Sequence, residues 1–594
     1  MLSVVLGRRS LYGRDTDGTI IVNEIIAQPP VIEVAELSFQ YAAATTRTLD
    51  NISFQVPAGS LLLVAGPSGC GKSTLLRCLN GLIPHSYKGT LWGEARLGED
   101  DIFHLSRAAL ARRVGTVLQD PSRQLVASTV GSDLAFGPEN LGLPVAEVEE
   151  RVTRALGLLG LKGLRERETQ ALSGGEHQKV AIAGVLALDP AVLLLDEPLA
   201  NLDPRSAWEA LQLFRRLADE GRSVILVEHR VEDALKIAPE QVILMDNGRI
   251  TYYGDAAGMR AAADYHAVKL PAAWVMEQAA TAPEEAAALV ATAAPPRQTA
   301  GEPLVRYRDV HFAYPAVGGR TPRPIVRGVS AEIYAGDRIA VLGPNGSGKS
   351  TLVKQAIGLL KPQQGEVVVA GTPTTRQTVA QIAHTLGYVF QNPGHMIFAP
   401  TVREELAFGP RNLGRTAAEI AQDVDWALEI TNLVPQADRP PLGLSFGQQK
   451  RVALASVLSM RPRILIMDEP TAGQDYANYT GFMDEIVALP DLEGVIFITH
   501  DLDLAIAYAN RVWIIREGTL AADGTPEDVL SRPALLQECG LLPTSLLEAN
   551  LAALPHTGRF LRAELLAGAP VAPAAPGRFN GVGIYESDAQ PTTR

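Results

Sequence analysis

The sequence predicts an α/β protein built as two tandem domains, each with a mostly parallel sheet core and an inserted helical subdomain. Three observations predict it. First, the chain is written twice. LAFGPENLG at 134–142 returns as LAFGPRNLG at 406–414, and VLLLDEP at 192–198 returns as ILIMDEP at 464–470, both at an offset of 272. GPSGCGKSTL at 66–75 returns as GPNGSGKSTL at 343–352, and EHR at 228–230 answers THD at 499–501. So long a period exceeds any solenoid repeat, and each copy is a whole domain of about 225 residues. Second, short apolar runs alternate with helical patterns in each copy, the order that gives a parallel sheet. Third, the stretches 130–172 and 402–444 are almost wholly helical in pattern and form a subdomain in each copy.

In chain order, residues 1–30 are an extension without a motif. The first domain spans 31–255. Its apolar run Leu61 to Ala65 reads as a buried strand, a helix follows from Ser73, and VLLLD, SVILVEH and QVILMD are further strands. Residues 256–303 are rich in alanine and proline: AAGMRAAADYHAVK reads as short helices, and TAPEEAAALVATAAPPRQTAGEP as a flexible linker. At about 3.3 Å per residue its contour exceeds about 100 Å, long enough for the domains to face each other. The second domain spans 304–530, with a strand from Ile339 to Leu342, a helix from Ser350, and strands at ILIMD, GVIFITH and RVWIIR. Residues 531–594 keep a helical pattern to near Leu566. The Ala-, Pro- and Gly-rich remainder is expected to be disordered.

Composition narrows the class. A chain of 594 residues is too long for one core. With 53 basic and 66 acidic residues its net charge is −13, which argues against general nucleic-acid binding. Three cysteines, Cys70, Cys78 and Cys539, exclude a disulfide framework and fit a reducing compartment. No apolar run reaches the roughly 18 residues needed to cross a bilayer. Arg8, Arg9 and Arg14 precede no long apolar core, so no signal peptide is read. The expectation is a cytoplasmic chain that reaches the cell-membrane face through a partner.

The chemistry lies in the repeated motifs. Gly66, Pro67, Ser68, Gly69, Cys70, Gly71, Lys72 and Ser73 match G-x-x-x-x-G-K-[ST], followed by Thr74. Gly343, Pro344, Asn345, Gly346, Ser347, Gly348, Lys349 and Ser350 match it again, followed by Thr351. Each run follows a strand and opens a helix, the context this phosphate-binding motif requires. The glycines let backbone N–H groups converge on phosphate oxygens, and the helix N-terminus adds positive potential. The lysine reaches the outer phosphates, and the serine hydroxyl is a Mg²⁺ ligand. Asp196 and Asp468 end apolar strands, where a carboxylate reaches the Mg²⁺ shell. Glu197 and Glu469 follow directly and point the other way, as candidate bases for an attacking water.

Further segments carry a family resemblance. Leu172-Ser173-Gly174-Gly175-Glu176 and Leu444-Ser445-Phe446-Gly447-Gln448 resemble the signature of ABC-type ATPases. Gln119 and Gln391 match the Q-loop glutamine, and His229 and His500 the switch histidine. Asn201-Leu202-Asp203 and Gly473-Gln474-Asp475 match the D-loop, and Tyr41 and Tyr314 sit where the family stacks an aromatic on adenine. The resemblance covers roughly 31–255 and 304–530. It implies two P-loop NTPase domains, each with an antiparallel β part, that bind ATP and Mg²⁺ and pair head to tail. ATP would lie between one phosphate loop and the opposite signature. One composite site would use Lys72, Asp196, Glu197 and His229 with Ser445. The other would use Lys349, Asp468, Glu469 and His500 with Ser173. Gln119 and Gln391 would serve the metal and the reacting water.

QDPSRQLVASTVGSDLAFGPENLGL (119–143) and QNPGHMIFAPTVREELAFGPRNLG (391–414) resemble energy-coupling-factor importers of vitamins or transition-metal ions. That resemblance implies an integral membrane coupling protein and a small membrane substrate-capture protein as partners. LSFGQ with TAGQD resembles fused ATPases linked to thiamin or its pyrimidine precursor. Leu134, Phe136, Leu406 and Phe408 in this segment are open to two readings, subdomain core or docking surface. Phe446 replaces the first signature glycine, which sets unequal sites against a ring turned away from ATP. Cys70 lies in the first loop where the second has Ser347, and its alkylation is expected to block that loop. Two other classes fit a twin ATPase. One is a soluble protein acting on ribosomes or DNA, against which the acidic chain and Ala-rich linker argue. The other is a sugar-importer ATPase with a degenerate half, against which two intact motif sets argue.

Overall fold

The computed structural model describes residues 13–14, 20–21, 30–200, 202–281, 301–315, 324–471, 476–489 and 491–567. Each half has a six-stranded sheet whose strand order brings the motifs together. In the first half the sheet runs Arg249–Gly254, Gln241–Asp246, Leu61–Ala65, Ser223–Val227, Val192–Asp196, Val114–Val117. All neighbours are parallel except at the Arg249–Gly254 edge. The strands before the phosphate loop, the Asp-Glu pair and the histidine are therefore adjacent. Their carboxyl ends share one rim, where open α/β sheets bind ligands. The second half repeats the order from the other edge: Leu386–Val389, Ile464–Asp468, Gly494–Ile498, Arg338–Leu342, Arg511–Arg516, Thr519–Gly524. The central strands are buried on both faces, which is why they read as unbroken apolar runs.

Beside each core sheet lies a four-stranded antiparallel sheet. Pro30–Tyr41 is central in the first, Val305–Ala313 in the second. The helical subdomains are Val130–Asn140, Val145–Leu158 and Gly174–Ala187, and Val402–Asn412, Ala417–Ile430 and Phe446–Leu458. Each has its own apolar core, with Leu134 and Leu406 fully buried in it.

The segment between the halves does more than span them. Helices Ala256–Ala262 and Ala272–Ala279 bury Met259 and Val275, and the turn between them buries Tyr265, Val268 and Leu270. These large side chains, spaced among alanines, supply the apolar surface the segment needs to pack. They join one core cluster that also takes in both sheets and the C-terminal residues Leu547, Ala553 and Leu566. Helix Ala272–Ala279 packs on Ser545–Thr557 and Ala563–Leu566. The remainder of the expected linker, 282–300, and the expected tail beyond 567 lie outside the described residues. Among the described residues no helix is long and apolar enough to cross a membrane.

Candidate functional site

Both phosphate loops have the same backbone. Gly66, Gly69 and Gly71 have φ of 145°, 82° and 108°, and Gly343, Gly346 and Gly348 have 145°, 76° and 103°. These are positive values that side chains resist. A Cβ on Gly66 would fall 2.1 Å from the Met245 carbonyl oxygen, and one on Gly343 2.1 Å from that of Ile515. Over Gly69 and Gly346 nothing lies within 4 Å, so the concave side is open. Helices Lys72–Leu79 and Lys349–Ala356 start from these loops without a side-chain cap, leaving first-turn N–H groups for an anion. Lys72 Nζ arches over its loop and donates to the carbonyls of Gly66 (2.7 Å) and Pro67 (2.9 Å). Lys349 does the same to Gly343 (2.8 Å) and Pro344 (3.0 Å).

Ser73 Oγ donates to Asp196 Oδ1 at 3.2 Å, and Ser350 is likewise hydrogen-bonded to Asp468. Burial, aided by Glu197, pushes the Asp196 carboxyl up to about 6, and burial also raises Asp468. Both are groups that gain from a cation. Among the described residues no three His, Cys, Asp or Glu form a metal cage. One carboxylate and one hydroxyl per loop, beside an open phosphate cradle, fit Mg²⁺, which keeps waters and phosphate oxygens in its shell.

Glu197 and Glu469 sit in the next turn, both at a left-handed φ of 50°. His229 Nε2 is 2.9 Å from Glu197 Oε1, and His500 Nδ1 is 3.1 Å from Glu469 Oε1. Burial raises both glutamates, but the histidines, the loop lysines and, for Glu197, Gln119 outweigh it and leave both below the ordinary value. Gln119 Nε2 donates to Glu197 Oε2 at 2.9 Å. Gln391 does not repeat this contact: Glu469 Oε2 is buried without a hydrogen-bond partner among the described residues.

Tyr41 and Tyr314 stand beside the loops. The Tyr41 hydroxyl is 3.2 Å from Thr74 Oγ1 and accepts from Arg77 Nη1 at 2.9 Å, and the Tyr314 hydroxyl is 3.4 Å from Thr351 Oγ1. Tyr314 is exposed, as a base-stacking ring requires. Cys70 is buried with its Sγ 3.8 Å from Lys72 Nζ, and burial pushes its thiol above the ordinary value, which slows its reaction with alkylating reagents.

The signatures lie at helix starts. Ser173 and Ser445 are exposed, and each caps its own helix by accepting from the N–H three residues on, Glu176 and Gln448. Gly174 and Phe446 are each the first helical residue. A Cβ on Gly174 would meet nothing within 4 Å, and Gly447 is equally open. Backbone geometry therefore does not demand glycine at this position. The Phe446 ring lies along its own helix over Lys450 Nζ, 5.6 Å from the ring centroid. Burial lowers Lys349 of the second half, against Glu469, Asp468 and, from the first half, Asp203, whose charges favour its ammonium. The D-loop residues Asn201, Gly473, Gln474 and Asp475 lie outside the described residues.

Sequence reasoning missed three groups. The Tyr388 hydroxyl donates to Asp468 Oδ2 at 2.7 Å, Lys450 Nζ reaches the carbonyls of Glu469 and Pro470, and buried Glu228 accepts from Leu199 N at 3.0 Å. Aligning the two copies would have flagged two of them, because Thr116 and Gln178 occupy the positions of Tyr388 and Lys450 in the first half.

Comparison with known proteins identifies the family. The ABC transporter family profile matches residues 49–200 and 326–472. A Methanosarcina acetivorans protein, provisionally described as an ABC transporter ATP-binding protein, is 36% identical over 558 residues, covering 86% of this chain and 89% of its own. A similarly described Vibrio vulnificus protein is 34% identical over 556 residues, covering 87% and 94%. The solved structure of cbiO1 from Clostridium perfringens, part of the ABC transporter complex cbiONQ, is 32% identical and covers 43% of this chain and 98% of its own, with a TM-score of 0.36. The chain belongs to the ABC transporter ATP-binding family and is an ATP hydrolase with two ABC ATPase domains in tandem.

Proposed function

We propose that this chain energises an importer of the energy-coupling-factor kind, driving uptake of a vitamin or metal ion, with thiamin or its pyrimidine precursor as the favoured cargo. The observation that carries it is a pair of matching apolar patches beside the two Q-loops. Asp133 Oδ1 accepts from the N–H groups of Val126 (2.7 Å) and Ala127 (2.9 Å). Glu405 Oε2 accepts from those of Phe398 and Ala399, both at 2.8 Å. Pinned this way, Val126 and Phe136 are 62% and 51% exposed, and Phe398 and Phe408 are 61% and 46% exposed. Phe398 and Phe408 stack edge to face with centroids 4.7 Å apart. Leu134 and Leu406 are the core residues of this segment, while the phenylalanines face outward. Two equivalent outward apolar patches suit docking on a membrane coupling protein at the cytoplasmic face of the cell membrane. The small substrate-capture protein then joins through that partner.

The two halves supply two composite ATP sites. Lys72 and Lys349 hold the outer phosphates, and the loop N–H groups with Thr74 and Thr351 orient them. Tyr41 and Tyr314 carry the base. Ser73 with Asp196, and Ser350 with Asp468, would hold Mg²⁺, which would supply charge neutralisation at the phosphates, and Gln119 and Gln391 would serve the metal and the reacting water. Glu197 and Glu469, ionised at neutral pH, orient and deprotonate the attacking water. His229 and His500 fix those carboxylates. Ser445 with Gly447, and Ser173 with Gly174 and Gly175, close over the opposite loop.

The test is affinity capture of the tagged chain from detergent-solubilised native membranes. Recovery of a multi-spanning coupling protein and a small membrane companion is expected. The Phe136→Asp/Phe408→Asp double variant should lose both while ATP hydrolysis persists. Recovery of ribosomal or DNA-repair proteins without a membrane partner would overturn the importer reading. Independently, the Lys72→Ala/Lys349→Ala double variant should lose ATP binding, and unimpaired binding would overturn the site assignment.

A further inference from the structure

Lys450 is out of place for a cation. It lies on helix Phe446–Leu458, is 7% exposed, and faces the turn that carries Glu469. Its Nζ donates to the carbonyl oxygens of Glu469 at 3.4 Å and Pro470 at 3.3 Å. That turn is held at a left-handed φ at Glu469, a conformation that persists only where surroundings support it. One helical turn back, the Phe446 ring covers the same ammonium, a cation–π contact that shields it from water. The first half has neither group: Gly174 and Gln178 occupy the two positions, and Gln178 is fully buried. The glycine-to-phenylalanine departure in the second signature is thus coupled to a glutamine-to-lysine departure one turn later.

We infer that Lys450 is a positioning residue for the Glu469 turn, and that Phe446 locks it there. The pair then links Ser445, which serves the composite site of Lys72, to Glu469, which serves the other. Closure over ATP at one site moves the start of this helix and, through the lysine, the carbonyls of the turn that holds the other site's base. The first half has only a neutral amide at that joint, so the link runs more strongly in one direction. This rests on the composite-site reading above.

The test uses the full chain and hydrogen–deuterium exchange of the peptides covering 464–471 and 192–199, with ATP hydrolysis measured alongside. Lys450→Gln should raise exchange of 464–471 at least about fivefold and leave 192–199 unchanged. Lys450→Arg should restore protection to within about twofold of the parent. Phe446→Gly should raise exchange of 464–471 in the parent but add nothing to Lys450→Gln. In hydrolysis, Lys450→Gln should lower kcat with KM for ATP unchanged. Equal exchange gains in both peptides, failure of arginine to restore protection, or additive effects of the two substitutions would each overturn the inference. The Glu197→Gln/Glu469→Gln variant separates the underlying reading: if it hydrolyses ATP like the parent, the site assignment fails, whatever Lys450 does.

Discussion

His229 Nε2 sits 2.9 Å from Glu197 Oε1, joining the ends of two adjacent strands, Ser223–Val227 and Val192–Asp196. His500 makes the equivalent contact to Glu469 through Nδ1. Both histidines thus leave one ring nitrogen for a second partner. The two glutamates are matched in backbone and burial, each has a histidine nitrogen within about 3 Å, and Phe446 is turned along its own helix. Near-equal sites are therefore expected. Glu197→Gln and Glu469→Gln should leave residual hydrolysis rates within about threefold of each other, and the double variant should fall at least about 100-fold while still binding ATP. A difference of about tenfold between the single variants would establish unequal sites. Gln119→Ala, which removes the partner of Glu197 Oε2, should slow hydrolysis more than Gln391→Ala.

Cys70 gives a probe of the first loop alone. Its thiol is buried, raised by that burial, and lies 3.0 Å from where a Gly66 Cβ would be. Alkylation by iodoacetamide at about pH 7.5 should run at least about tenfold slower than that of free cysteine. Once made, the adduct should abolish nucleotide binding at the first loop. Cys70→Ser, which copies Ser347, should remove the reagent's effect. Rapid labelling without loss of binding would contradict the geometry.

The motifs were legible because phosphate binding and a parallel sheet constrain short, contiguous runs. Gly66 to Thr74 and Gly343 to Thr351 carry their own backbone demands, and the strand runs are apolar throughout because both faces are covered. What joins the halves was not legible. Lys269, Asp501, Asp503, Thr544 and Ser545 come from three distant segments, and no local period marks them. The Ala-rich composition of 256–303 suggested short helices and a flexible linker, with no sign of core packing, yet Met259, Tyr265, Val268, Leu270 and Val275 were enough to bind its first part into the core. The exposed Phe136 and buried Leu134 differ by two positions in one helix, a difference of face that composition does not reveal.

Lys269 ties that joint together. Its Nζ pairs with Asp501 at 3.1 Å and Asp503 at 2.7 Å, directly after His500. The Thr544 hydroxyl bonds Asp503, Ser545 N donates to Glu232 Oε1 at 2.8 Å, and Ala272 N donates to Ser545 Oγ at 2.7 Å. Burial raises the Asp501 carboxyl, but Lys269 outweighs it and holds it below its ordinary value. Such a depressed acid stabilises the fold above its unfolded value, and the gain is lost as pH falls through its folded value. Lys269→Met leaves these acids buried without their cation and should cost about 3–5 kcal/mol in thermal or denaturant unfolding. The loss should be greatest above about pH 7 and shrink toward about pH 5, as Glu232, pushed up to about 7 by burial and by Asp503, takes up its proton. A loss constant between about pH 8 and about pH 5 would show that Glu232 does not contribute and that the effect lies in Asp501, which stays ionised throughout, or in packing.

Glu228 carries the opposite sign. It precedes His229, is buried, and is pushed up to about 7 by burial and by Glu197. The folded chain therefore keeps a proton that the unfolded chain releases near 4.5. Folding stability contributed by this group falls as pH rises through that window, and the cost is complete above about pH 7. Glu228→Gln keeps an oxygen to accept from Leu199 N and removes the charge. It should stabilise the protein by about 1–3 kcal/mol at about pH 8 and by almost nothing at about pH 4.5. Unfolding midpoints of parent and variant across that range read the difference directly. A gain of equal size at both ends would mean that Glu228 titrates alike in the folded and unfolded chain, and that the substitution acts through hydrogen bonding alone.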